Sequence, residues 1–153
     1  MFMGQEIPIA ASAAGGVYAY KDGRTAPDTI NVLLQYPGEY TATFEATLAP
    51  GITGEAVEIC GTEGRLWIDR RRFEFYPKGR NAQPTVVQAE PGNDPLTQAH
   101  VNNFLECVKT RKRPNGDVLI GHRSAQASHL GNISYMQKRR IDFDPVREEI
   151  LPF

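Results

Sequence analysis

Between residues 7 and 88 apolar and polar positions alternate over short runs, and Gly, Pro and Asp interrupt them every few residues. That is the pattern of strands joined by turns. It predicts strands over Ile7–Ala14, Thr29–Tyr36, Tyr40–Leu48, Ala56–Cys60, Arg65–Asp69, Phe73–Tyr76 and Thr85–Gln88. Because successive strand side chains point to opposite faces, Ile30, Val32 and Leu34 of "TINVLLQY" share a face and Leu33 takes the other. In "YTATFEATL", Tyr40, Ala42 and Phe44 oppose Thr41, Thr43 and Glu45. "YPGEY" reads as one hairpin turn, and "EICGTEGRLWID" as a second, with Gly61 and Gly64 flanking Thr62-Glu63.

Near residue 92 the period becomes helical. Asp94 suits an N-cap and Pro95 the first helical position, where its missing N–H costs nothing. Val101, Phe104, Leu105 and Val108 then recur at i, i+3, i+4 and i+7, until Pro114 and Gly116 end the helix. A second helix is expected from about Gly121 to Gln137, and "RRIDFDP" reads as a last short strand before a polar tail. Strands first and helices last predict an α+β fold, with an open, mainly antiparallel sheet and helices on one face. The other face must meet solvent or a partner. A helix is about 10 Å across and strands are about 4.8 Å apart, so two helices shield about four of the strands proposed. The remainder predicts a homo-oligomer, formed through the open face.

Composition narrows the function. The 153 residues fit a single domain, 1–153, with 41% hydrophobic residues. Seventeen basic side chains against eighteen acidic ones give no global field toward nucleic acid or an anionic membrane. No apolar run nears the roughly 18 residues of a membrane span. The start, "MFMGQEIPIAASAAGG", has no basic segment and a poor apolar one, so no signal peptide is read and a cytoplasmic location is expected.

The chemistry-bearing residues do not assemble into a site. No GxGxxG, GxxxxGK[ST] or GxSxG occurs, and the acidic residues have no spacing that specifies an acid/base pair. His122 and His129 lie two turns apart, in an arc bounded by Ala125 and Leu130 that also holds Ile133 and Met136. The helix is expected to bury that arc, so both read as packed structural histidines, as does His100. With no third ligand at helical spacing, no metal is expected. Cys60 and Cys107, far apart and without a CxxC partner, read as buried, unbridged thiols. The basic runs Lys109–Arg113 and Lys138-Arg139-Arg140 follow helices, where cations meet the negative end of the dipole. Arg70-Arg71-Arg72 lies in a turn, and none of the three runs carries the interleaved aromatics of a single-strand binding surface. No catalytic, cofactor-binding or metal residue is assigned, and the substrate-binding residues are left open.

Five stretches in order resemble the C-terminal half of the glucose-fructose oxidoreductase / inositol dehydrogenase / rhizopine-catabolism (Gfo/Idh/MocA) family. They are "IPIAASAAGG", "APDTINVLLQYP", "EICGTEGRLWID", "HVNNFLECVKTRKRP" and "GHRSAQASHLGNISYMQKRRIDFDP", and the resemblance they mark out extends over nearly all of residues 6–149. The resemblance implies a C-terminal substrate and oligomerisation domain, with an open antiparallel sheet and helices on one side. It also implies a parent NAD(P)-dependent oxidoreductase, acting on a sugar, polyol or related hydroxyl compound. In that family the NAD or NADP site and the Glu-Lys-Pro motif belong to an N-terminal Rossmann domain. Here no Lys precedes a Pro, and Met1–Glu6 contain neither residue of the family's Asp-x-x-x-His element. The expectation is a domain inactive on its own. Its rivals are a stand-alone ligand-binding or protein-interaction module, and a small complete enzyme with an unrecognised site.

Overall fold

The computed structural model describes residues 4, 7–38, 40–50, 54–89 and 95–152. The expected N-cap Asp94, Glu39 of the first hairpin and most of Met1–Glu6 lie outside these residues. The elements are β1 (Ala10–Gly16), β2 (Thr29–Tyr36), β3 (Tyr40–Thr47), β4 (Val57–Gly61), β5 (Gly64–Ile68), β6 (Arg72–Pro77), β7 (Val86–Ala89), α1 (Pro95–Thr110), α2 (Val118–Gln137), β8 (Ile141–Asp144) and β9 (Glu149–Ile150). The α+β class and the antiparallel pairing are those the sequence implies. The strands divide, however, between two sheets, one in each of two compact units: residues 1–52 with 111–153, and residues 53–110.

The first unit holds a five-stranded sheet in the order β3-β2-β1-β8-β9. Ala11 pairs with Leu34 on one side and Ile141 on the other, and Leu34 pairs in turn with Ala42. These residues belong to the apolar face that alternation assigns, and α2 lies over it. The core is Ala11, Val32, Leu34, Leu130, Ile141 and Phe143, with Ala13, Ile30, Ala127 and Ile133 packed around it.

Two small residues let α2 approach the sheet. A Cβ at Gly131 would come within 2.8 Å of Cγ1 of Val32, so only glycine permits this spacing. Ser134, 1% exposed, accepts the N–H of Ala13 at 2.9 Å and donates to the carbonyl of Arg139 at 2.6 Å. It thereby satisfies β1 beyond the point where pairing with β8 stops.

This packing corrects the expected helix face. Leu130, Gly131 and Ser134 are buried, while His122, His129 and Met136 are exposed. α2 also begins three residues earlier than expected. Asp117 caps it by accepting the N–H of Ile120 at 3.0 Å. At its other end Lys138 takes the left-handed conformation of a C-cap, with φ 54°. The tail, expected to be only polar, contributes β9. Asp144 accepts the N–H groups of Val146 and Arg147 and turns the chain back, and Leu151 N–H bonds the carbonyl of Asp142.

The second unit holds the sheet β4-β5-β6-β7. Its registers put Ile59, Leu66 and Phe75 in one cross-strand row, with Val57, Ile68 and Phe73 in the next. Glu58, Cys60, Arg65, Trp67, Glu74 and Tyr76 alternate onto the other face. The hairpin turn at Thr62-Glu63 falls where expected. Gly64 has φ +152°, and a Cβ there would meet the Tyr76 carbonyl at 2.2 Å. At the arginine-rich turn the Asp69 carboxylate accepts the N–H groups of Arg71 and Arg72, each at 2.7 Å. Among the described residues α1 packs on no strand of its unit, and its stripe of Val101, Phe104, Leu105 and Val108 stays exposed.

Candidate functional site

The face of the five-stranded sheet opposite α2 is a polar bed. Ser12, Ala14, Asn31, Leu33, Gln35, Thr41, Thr43 and Glu45 share it by alternation and register. Asn31, Leu33, Gln35, Thr41, Thr43 and Glu45 are exposed. Small side chains on β1 leave a shallow trough of about 260 Å³ against Asn31, Leu33, Thr43 and Glu45.

Loop 17–28 bounds this bed at the Gly16 end of β1. The register pairs Gly16 with Thr29, yet the N–H of Asp28 also reaches the Gly16 carbonyl, at 3.1 Å. Two residues thus oppose one, the arrangement of a β-bulge. Asp28 is 2% exposed. Its carboxylate accepts the N–H groups of Tyr18 at 3.1 Å and of Ala19 and Tyr20 at 2.9 Å each, together with the Thr29 hydroxyl at 3.1 Å. Thr29 in turn meets the Thr47 hydroxyl at 2.9 Å, tying the loop to the open face.

The Tyr20 amide foremost, then those of Tyr18 and Ala19 and the Thr29 hydroxyl, hold the Asp28 carboxyl well below the usual range, to about 2. Burial opposes them by pushing it up. A carboxyl lowered in the folded state contributes stability above its unfolded value, and loses it as pH falls through the folded one. The loop should therefore hold unchanged above about pH 4 and loosen as pH drops toward 2. NMR titration of the Ala19 and Tyr20 amide shifts should give an inflection below pH 3. An inflection near pH 4 would refute the assignment.

The rest of the loop is fixed in the same way. Tyr20 donates its hydroxyl to the Leu48 carbonyl at 3.0 Å, and Arg24 lies over the Tyr20 ring at 4.9 Å. Arg24 also grips Asp22 through two bonds, of 2.9 and 2.6 Å. A Cβ at Gly16 would meet the Tyr18 ring at 2.7 Å, so that ring lies across the bare Cα of a glycine. Its remaining surface leaves Tyr18 65% exposed.

The polar face of the smaller sheet carries a second ordered cluster. Arg65 bonds Glu58 at 2.6 Å and lies 4.0 Å over the Tyr76 ring. Tyr76 donates to Glu74, which pairs with Arg72 at 3.3 Å, and Arg72 covers Trp67 at 4.9 Å. Cations, rings and carboxylates satisfy one another there.

The residues weighed in the sequence stay apart. His122 is exposed on α2 and shares Glu148 with Arg123, at 2.9 and 2.6 Å. Those partners, His122 first, keep the Glu148 carboxyl below its usual range. His129, also on α2, and His100, on α1, are exposed as well. Cys60 is exposed rather than buried, because it alternates with Glu58 onto the polar face of an edge strand; Cys107 is half-buried, and both thiols are free. Among the described residues no three His, Cys, Asp or Glu side chains form a group able to hold a metal ion. The end of the first basic run closes a turn, Arg113 pairing with Asp117. In the second, Arg140 reaches Asp142 at 2.8 Å and Gln35 at 2.9 Å. Asp28 escaped the reading of chemistry because an Asp before a strand looks like ordinary turn punctuation. The Gly-Gly pair that ends β1 was the available signal for a close approach.

A dinucleotide is held by a parallel βαβ unit with a glycine-rich turn. Every strand pair among the described residues is antiparallel, so these residues do not fit such a cofactor. No helix is long and apolar enough to cross a membrane.

No protein-family model matches the chain, and no curated protein matches it. Solved structures do. The aldose-aldose oxidoreductase from Caulobacter crescentus, complexed with glycerol, superposes with a TM-score of 0.68 at 19% identity, over 90% of this chain and 42% of that one. The UDP-N-acetylglucosamine 3-dehydrogenase from Acidithiobacillus ferrooxidans gives 0.66 at 14%, over 86% and 41%. An oxidoreductase from Agrobacterium radiobacter, in complex with NAD+, L-tartaric acid and magnesium, gives 0.64 at 13%, over 92% and 44%. The chain thus spans less than half the length of each of these structures. What it shares with these oxidoreductases is the fold of that portion, an open α+β arrangement of antiparallel sheets.

Proposed function

We propose that this chain is the substrate-cleft and oligomerisation domain of a cytoplasmic, two-domain, NAD(P)-dependent oxidoreductase of the Gfo/Idh/MocA type. The substrate would be a sugar, a polyol or a related hydroxyl compound. One observation carries the reading: nearly the whole chain follows the fold of sugar and polyol oxidoreductases, yet accounts for only 42% of the first of them. The glycerol, UDP-N-acetylglucosamine and tartaric acid named with these neighbours are all hydroxyl-bearing, which supports the substrate class.

The nicotinamide cofactor would accept or donate hydride when bound by the parent enzyme. This chain supplies one wall of the cleft, and the open polar face offers itself to a second copy. The domain alone is inactive. Calorimetry with NAD and with NADP should give no binding heat on the isolated chain, and micromolar binding to it would refute the division of labour. The source gene tests the parentage. An in-frame Rossmann-coding stretch upstream is expected, and its absence would favour a stand-alone binding module.

A further inference from the structure

Resting on the self-association just proposed, we infer that Tyr18, displayed by the Asp28-held loop, is the anchor through which two copies grip each other across the open sheet face. Area makes an anchor necessary. With the observed strand lengths, a rise of about 3.4 Å per residue and a spacing of about 4.8 Å give the face roughly 500 Å². A pair of copies would bury about 1,000 Å², below the 1,200–2,000 Å² typical of stable interfaces. The face is also flat and polar, with Leu33 its single large apolar side chain among the described residues.

A tyrosine buries about 150–250 Å², of which about two-thirds is left to cover on Tyr18, so two copies add roughly 200–300 Å² and bring the total to the lower end of the stable range. Buried tyrosines are also among the side chains that dominate interface energies. Tyr18 meets the entropic condition for such a role. The Asp28 carboxylate fixes its backbone, and the Gly16 Cα seats its ring, so little freedom is left to lose on binding. The occupant is a second copy. Within the bed Ser12, Asn31, Gln35, Thr41 and Thr43 are neutral and Glu45 is charged, while Asp142 and Glu149, on the same face by register, are matched by Arg140 at 2.8 Å and Arg147 at 3.0 Å, so a two-fold pairing meets no row of unmatched like charges.

Sedimentation equilibrium on the full chain tests this. Wild type should dimerise. Ser12→Arg, which places a charge in the middle of the bed, should be monomeric. Tyr18→Phe should keep the dimer. Tyr18→Ala should weaken it at least about tenfold with an unchanged thermal midpoint at concentrations where both proteins are monomeric, since the side chain is mostly exposed. A Tyr18→Ala dimer as tight as wild type, beside a monomeric Ser12→Arg, overturns the anchor and leaves the face standing. A dimer that survives Ser12→Arg overturns the face, and a wild type that stays monomeric to its solubility limit overturns both, leaving the bed to another partner.

Discussion

Ile141→Ala should lower the free energy of unfolding by about 3–4 kcal/mol, read as a fall in denaturant midpoint with an unchanged slope. The side chain is fully buried, and its strand neighbour across the sheet is Ala11, itself fully buried. Large-to-small substitutions are costliest where the surroundings cannot close the void. Alanines at 10, 11 and 13 have no side chain that could swing into the space. Val146→Ala is the control: at 90% exposure it should stay within about 0.5 kcal/mol of wild type. A loss under about 1.5 kcal/mol at Ile141 would show that the sheet and α2 collapse onto the gap.

Ser134→Ala removes no bulk, yet should destabilise by about 2–3 kcal/mol. The hydroxyl accepts from Ala13 and donates to Arg139, and its loss leaves a part-buried N–H and a part-buried carbonyl without this partner. An unsatisfied buried polar group costs about 1–3 kcal/mol. Hydrogen exchange distinguishes this from a general loosening. The Ala13 amide should lose protection by more than the global change explains, while amides in the β2–β3 ladder should follow the global value. Equal changes across the sheet would mean that the hydroxyl does not hold the β1 edge.

What the sequence disclosed follows from the range of the forces involved. Alternation is a nearest-neighbour property, and it grouped Ile30, Val32 and Leu34 on one face and Thr41, Thr43 and Glu45 on one face; the structure makes these the packed and the open side. Pairing is not local: Ala11 meets Ile141 across most of the chain, and no periodicity reveals which strands share a sheet. Hence one sheet was expected where two form. The buried side of α2 was misjudged for a different reason. An apolar stripe is sought among large side chains, but this helix packs through Ala127, Gly131 and Ser134, whose smallness allows the close approach to Val32. His122 and His129 were carried into the wrong arc with it. Asp28 was legible only as part of a family-like Pro-Asp-Thr stretch, because burial and three converging amides cannot be read from its neighbours. β9, at two residues, is too short to show a period at all.

That brief strand has a consequence for how copies can add to one another. β9 forms one margin of the five-stranded sheet, and charge surrounds it: Arg147 pairs with Glu149 at 3.0 Å, and Glu148 is drawn back toward α2. The other margin, β3, is eight residues long. A ribbon that grows without limit needs both margins, the β9 side of each copy pairing with the β3 side of the next. A two-residue, charged stub offers too little backbone for that join. The closing hairpin therefore bars edge-on addition at this one margin of the sheet.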